Sequence, residues 1–255
     1  MFNVTYSIFK RACKNGDLRN VETFFDNFNS KFEILEMRNM VAQEGHLNIL
    51  EYFYRRGVDM NVDYNHDTPL RIAARRGWVD IINFLLAVGV DINFQNDSGW
   101  TALMSASAYE KIDVVDIFLA TGQCDVNLKT NWGETALTHV VFNGNLGIID
   151  RLILHGANYY YINDDNGANL LHYATNNKYV NNIDVLQRIL SLDLDVNHQN
   201  NNGWTPLMFA VKFDKKEMVE ILLDYGADPQ IENNDGNIAS DMTDDSEIKN
   251  LFLNF

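Results

Sequence analysis

Thr68-Pro69-Leu70-Arg71-Ile72-Ala73 sets the register of the whole chain, because its outline returns four times. Its counterparts open as Thr101-Ala102-Leu103, Thr135-Ala136-Leu137, Asn169-Leu170-Leu171 and Thr205-Pro206-Leu207, at successive spacings of 33, 34, 34 and 36 residues. Four of the five have a glycine two residues ahead: Gly99, Gly133, Gly167 and Gly203. Five residues after each opening comes a small or β-branched side chain (Ala73, Ala106, Val140, Ala174, Ala210), where helices of adjacent units would have to approach closely. A fixed period in this range is the mark of stacked supersecondary units.

The rest of each unit follows the same register. Apolar pairs such as Ile81-Ile82 with Leu85-Leu86, Val114-Val115 with Phe118-Leu119, and Met218-Val219 with Leu222-Leu223 lie three to four residues apart and give one apolar helix face. Turn residues such as Arg76-Gly77 and Asn143-Gly144 separate this helix from a shorter one before it. Each unit is therefore helix, turn, helix. A glycine and an Asp-X-Asn segment then follow: Gly89 with Asp91-Ile92-Asn93, Gly122 with Asp125-Val126-Asn127, and in degraded form Asp193 with Asp195-Val196-Asn197. Glycine tolerates the left-handed conformation that ends a helix, and Asp and Asn bond their own backbone in turns. The linker reads as an extended turn.

Thr-Pro-Leu-X-X-Ala, a mid-unit glycine, a Leu-Leu pair, Gly-Ala-Asp and Asp-X-Asn at a period near 33 resemble the ankyrin repeat, over nearly the whole chain. The resemblance implies an all-α solenoid of about seven to eight helix-turn-helix units joined by short extended turns, forming one domain over 1–255. Residues 1–61 would hold two degenerate units, with their boundary near 33 and 34, that keep only the helical half, as in Ala12-Cys13-Lys14-Asn15-Gly16 and Val41-Ala42-Gln43-Glu44-Gly45. Residues 62–231 would hold five well-formed units, and 232–255 a truncated capping unit with a polar outer face. The Asn-rich composition and phrases such as Gly45-His46-Leu47-Asn48-Ile49-Leu50-Glu51-Tyr52 also resemble the large ankyrin families of giant amoeba viruses or of intracellular parasites. Pox-type ankyrin proteins append an F-box-like segment, for which the chain has no residues left beyond the cap, so a self-contained ligase adaptor is not expected.

Composition narrows the partners. With 255 residues and 46% hydrophobic content the chain can bury a substantial core. Its net charge of -15 repels phosphate backbones and anionic membrane surfaces, so neither nucleic acid nor membrane is an expected partner. Cys13 and Cys124 are far apart with no ligand-spaced neighbour, and read as two reduced thiols in a helix and a loop. Residues 1–14 lack the apolar run and cleavage site of a signal peptide. A reducing compartment is expected: the cytoplasm, a host's if the source is viral, with the nucleus also open, and a monomeric state.

No catalytic, cofactor or metal constellation emerges. The six histidines, His46, His66, His139, His155, His172 and His198, occupy different places in the repeat, with no helically spaced partner to complete a zinc site. His172 stands at the repeat's own histidine position, where its ring is expected to bond neighbouring backbone. Asp164-Asp165 and Asp244-Asp245 read as solvated turns, without calcium-loop spacing. No phosphate-cradling glycine loop and no nucleophile elbow appears.

The resemblance implies a curved slab whose concave side, made of turns and first helices, binds a partner protein. Trp100, Trp132 and Trp204 are read there at matching turn positions, beside Tyr109, Phe142 and Phe213, as one aromatic ladder. An equal alternative is that Trp100 and Trp204 cover the turn of the preceding unit. Arg71, Arg75 and Arg76, with Arg55 and Arg56, form a basic cluster that either receives an acidic segment or balances Asp59, Asp63 and Asp67. The resemblance also implies that Asn93, Asn127 and Asn197 are sites for an asparaginyl hydroxylase. Sequestration of a host protein is a further reading of the scaffold. Two structural expectations remain: a protruding, mobile loop within 176–182, where polar Asn would not join the stack, and graded unfolding from the degenerate N-terminal units.

Overall fold

The structure is a computed structural model that describes residues 2–28, 30–177 and 182–254. It contains two compact units, Met1–Leu128 and Lys129–Phe255. The first holds α1 (Phe2–Asn15), α2 (Leu18–Phe24), α3 (Lys31–Glu44), α4 (Leu47–Arg55), α5 (Pro69–Arg76), α6 (Val79–Ala87), α7 (Ala102–Ala108) and α8 (Ile112–Ala120). The second holds α9 (Ala136–Asn143), α10 (Leu146–Leu154), α11 (Leu170–Thr175), α12 (Ile183–Leu190), α13 (Pro206–Lys212), α14 (Lys216–Asp224), a 3-10 turn at Ala239–Met242 and α15 (Ser246–Leu251). The described residues contain no strand; an isolated bridge joins Tyr64 and Asp67.

Within each unit, first helices pack on first helices and second helices on second helices. The α1, α3, α5, α7 row lies beside the α2, α4, α6, α8 row, and α9, α11, α13 beside α10, α12, α14. Two layers of a solenoid result. The residues that set the sequence register explain the spacing: Ala73, Ala106, Val140, Ala174 and Ala210 are all buried between first helices. The apolar pairs of the second helices, including Ile81, Ile82, Val114, Val115, Phe118, Met218, Val219 and Leu222, form the rest of the core.

Helix starts are fixed by side-chain caps. The Thr68, Thr101, Thr135 and Thr205 hydroxyls and the Asn169 side-chain oxygen accept from the backbone N–H three residues on, at 3.1–3.3 Å. Each such cap contributes about 1 kcal/mol. Where the cap is missing, the first helix runs back further. α1 and α3 have 14 residues each, against 6 for α11 and 8 for α5. α3 begins at Lys31, directly after the extended Ser30, whose side chain makes no cap bond, ahead of the boundary expected near residues 33 and 34.

The two N-terminal units also compensate for their missing turn signals with aromatic packing. Phe9 stacks on Phe28 at 4.5 Å between centroids, and Phe25 lies 5.4 Å from Phe53. Arg38 is fully buried where the units from Thr68 onward place leucine and the first unit Phe9. Its guanidinium donates to Asp59 O at 2.5 Å, Val62 O at 2.7 Å and Asn39 Oδ1 at 2.8 Å, and burial lowers its pKa to about 10. The graded unfolding expected from missing turn bonds thus meets a second set of contacts.

The loop expected to protrude lies mainly in 178–181, outside the described residues. At its two ends the reason given for it fails. Asn177 Nδ2 donates to Phe142 O at 2.8 Å, and Asn182 Nδ2 donates to Gly144 O at 2.6 Å, so these polar side chains do join the stack.

Candidate functional site: the turns and first-helix ends

Each first helix from α5 onward, and the 3-10 turn at Ala239–Met242, is preceded by a turn closed by main-chain bonds. The acceptor carbonyls are those of Asp67, Trp100, Glu134, Ala168, Trp204 and Asn237, reached from Tyr64, Asn96, Thr130, Asn163, Asn200 and Asn233 N–H. This register separates the three candidate tryptophans. Trp100 and Trp204 share it, but Trp132 lies two residues ahead of the equivalent Glu134, so the expected set of three matching positions is corrected to two. The cause is local: Trp132 precedes Gly133, whereas Trp100 and Trp204 follow Gly99 and Gly203.

Asparagine side chains tie successive turns together. At the tips, Asn96 Nδ2 donates to His66 O, Asn163 Nδ2 to Trp132 O, Asn201 Nδ2 to Asp165 O and Asn234 Nδ2 to Asn201 O, each at 2.9 Å. At the turn bases, Asn93 accepts from Asp125 N at 2.8 Å and donates to Gln123 O at 2.9 Å. Asn197 repeats the pattern with Asp228 N at 2.8 Å and Gly226 O at 3.1 Å. Asn127 N–H donates to Asp125 Oδ1 at 2.9 Å, the bond within each Asp-X-Asn segment. A further such segment, Asp59-Met60-Asn61, escaped the sequence reading although Gly57 precedes it. Asn61 Oδ1 accepts from Asp91 N at 2.9 Å.

His172 is bonded as expected. Its Nε2–H donates to Trp204 O at 2.9 Å, and its Nδ1 accepts from Asn169 N at 3.2 Å. Burial lowers its pKa to about 4, which keeps the ring neutral with one donor and one acceptor.

The aromatic candidates fall into two kinds. Trp132 (56% exposed), Tyr109 (55%) and Phe142 (38%) present their rings to solvent. Trp100, Trp204 and Phe213 are half-buried. Trp204 packs on Phe209 of α13, the helix that follows it, 5.0 Å between centroids, with Lys212 Nζ 4.6 Å from its ring. Tyr109 and Phe213 share a register as the residues ending α7 and α13, while Phe142 sits one place earlier, inside α9. In the second unit the turns and first-helix ends thus carry Trp132, Phe142, Trp204 and Phe213. In the first they carry Trp100 and Tyr109.

The arginines are largely committed to neighbours. Arg71 Nε lies 2.8 Å from Asp67 Oδ1 and Arg75 Nη2 3.5 Å from Asp67 Oδ2, while Arg71 Nη2 also donates to His66 O. Burial raises the Asp67 pKa against the pull of both arginines. Arg56 pairs with Asp26 and lies over the Phe25 ring, and Arg55 stands 3.9 Å from Glu51. Arg76 is exposed and makes no ion pair among the described residues.

The remaining chemistry-bearing groups have structural surroundings. Burial pushes the thiols of Cys13, in α1, and Cys124, in the loop after α8, up to about 12, so both stay protonated. Asp164 pairs with Lys129 at 2.7 Å, which holds its carboxyl below the usual range. Asp245 caps α15. No helix among the described residues is long and apolar enough to cross a membrane.

Comparison with known proteins fits this geometry. A family model described as ankyrin repeats in three copies matches residues 39–130 and 111–200, and a second, of many copies, matches 179–223. An ankyrin repeat protein of fowlpox virus (strain NVSL) is 33% identical over 167 residues, covering 63% of this chain and 48% of the relative. The chain thus spans about half the length of that viral relative; a viral relative is consistent with the expected likeness to ankyrin families of giant amoeba viruses or of intracellular parasites. The ankyrin repeat domain of Bcl-3 matches with a TM-score of 0.70 at 20% identity, over 85% of this chain and 97% of that one, a likeness of fold. A chain from the structure of a Bdellovibrio bacteriovorus predatory endopeptidase in complex with an immunity protein matches with a TM-score of 0.62 at 28% identity, over 74% of this chain and 95% of that one. Ankyrin repeats generally mediate protein–protein interactions, and their fold is typically a non-enzymatic scaffold. With the family models covering more than half of its length, the chain belongs to the ankyrin repeat family.

Proposed function

We propose that this protein is a non-enzymatic scaffold that holds a partner protein on its turns and first-helix ends, chiefly through the aromatic side chains of the second unit. The observation that carries this reading is the solvent exposure of Trp132 and Phe142, with half-buried Trp204 and Phe213 at turns and first-helix ends of the same unit. Leaving such rings in water is costly, and large rigid aromatics with one polar contact are what interfaces use as anchors. Trp100 and Tyr109 offer the corresponding positions in the first unit. Arg76 is the arginine of the basic cluster best placed to add a contact to an acidic group, because Arg71 and Arg75 already share Asp67.

The test is alanine replacement after the partner has been captured from the source or host cell extract and identified by mass spectrometry. Trp132→Ala, Trp204→Ala and Phe213→Ala should each weaken that partner's binding by about 1–4 kcal/mol, while Leu154→Ala, on a second helix, leaves it unchanged. If the aromatic variants lose structure while binding per folded molecule stays constant, the rings are packing groups and the reading fails.

A further inference from the structure

We propose that Asp63, His66 and Asp97 form a site for a divalent transition-metal ion of the zinc type, linking two neighbouring turn tips of the first unit. Asp63 and His66 lie on the tip that leads into α5, and Asp97 on the tip that leads into α7. One donor atom from each residue falls within 4.8 Å of the other two. The sequence conceals this group because its third member, Asp97, lies one repeat on from Asp63 and His66.

The donor set is two carboxylate oxygens and one imidazole nitrogen, which suits zinc with water completing the shell. His66 Nδ1 already lies 2.6 Å from Asp97 Oδ2. Metal–ligand bonds of about 2.0–2.1 Å require ligand atoms somewhat further apart than this contact. A bound ion therefore opens the His66–Asp97 pair by less than an ångström and draws Asp63 toward it. The tips are prepositioned, since His66 O accepts from both Asn96 Nδ2 and Arg71 Nη2 at 2.9 Å.

A second observation points to a cation. Asp63 Oδ1 is shielded from solvent and accepts no hydrogen bond among the described residues. Arg38 feels the Asp63 charge, yet its N–H groups go to Asp59 O, Val62 O and Asn39 Oδ1 instead. A shielded carboxylate oxygen without a donor is costly, and a cation bound by the Asp63 carboxylate relieves that cost.

The experiment is equilibrium dialysis of the full chain against zinc at neutral pH, with metal counted by elemental mass spectrometry and fold checked by circular dichroism. The expected result is one zinc per chain, saturating in the micromolar range and weakened at least about tenfold by both Asp97→Asn and His66→Ala. Zinc should also raise the thermal midpoint of the parent chain more than that of either variant. Absence of saturable binding overturns the proposal and leaves His66 and Asp97 as an ion pair. Binding that both folded variants retain overturns it equally, because the ion then sits on other side chains. If His66→Ala fails to fold, Asp97→Asn, on the other tip, decides alone.

Discussion

The imidazole of His172 reaches out of its own repeat to donate to the main-chain oxygen of Trp204, 2.9 Å away and 32 residues on, so one repeat's first helix fixes the turn of the next. The donated bond favours the charged ring, but burial outweighs it, and Nδ1 can accept from Asn169 N only while the ring is neutral. The folded-state pKa of about 4 lies below the ordinary value of 6.5, so the contribution is fully present above pH 6.5 and is lost as pH falls from there toward 4. His139, half-buried in α9, is lowered to about 4 by burial and titrates with the same sign. Each should remove on the order of 3 kcal/mol across that window. Urea unfolding at pH 7.5 and pH 4.5 checks this. His172→Gln should flatten the pH dependence, and an unchanged slope would count against the assignment.

Asn93 and Asn197 each join their turn to the next through one donated and one accepted bond. Replacing either by alanine should cost about 1–3 kcal/mol, because two turn backbone groups lose their partners together. Hydrogen exchange at the Asp125 amide should accelerate in Asn93→Ala, and at the Asp228 amide in Asn197→Ala. Exchange unaltered at both would show that water replaces the side chains without loss.

Two glycines separate backbone strain from close packing. Gly203 (φ +75°) and Gly226 (φ +86°) are both left-handed, and an alanine at either costs about 1–2 kcal/mol for that alone. A Cβ at Gly203 would stand 2.7 Å from Asn234 N, whereas at Gly226 it meets nothing within 4 Å. Gly203→Ala should therefore lower stability by at least about 1 kcal/mol more than Gly226→Ala, since it must also break the bond from Asn234 N to Asn202 O. Equal losses in parallel denaturation curves would mean that the tip shifts freely.

The repeats from Thr68 onward were legible because Thr, Gly and Ala occupy positions that helix caps, left-handed turns and close helix contacts demand. Asn169 was read correctly as a substitute for Thr, since either side chain can accept from the third helical N–H. Less visible were features that depend on a neighbouring unit. Arg38 looks like an exposed charge in a polar stretch, and only the carbonyls of Asp59 and Val62 make its burial possible. Trp132 stands beside a turn glycine as Trp100 and Trp204 do, but it precedes Gly133 where they follow Gly99 and Gly203, which shifts it by two positions. The tip asparagines read as loop composition, although their amides bridge the repeats. Of the aromatic surface, the residue types were legible and their exposure was not: Trp204 and Trp132 look alike in sequence, yet Phe209 and Lys212 flank only the former.

The central claim is that a partner protein lies on the turns and first-helix ends, and hydrogen exchange of the chain with and without its identified partner tests it most directly. The account predicts slowed exchange at residues 130–143 and 200–213, with α10, α12 and α14 unchanged. Protection confined to α10, α12 and α14, with the turns exchanging as in the free chain, would contradict it.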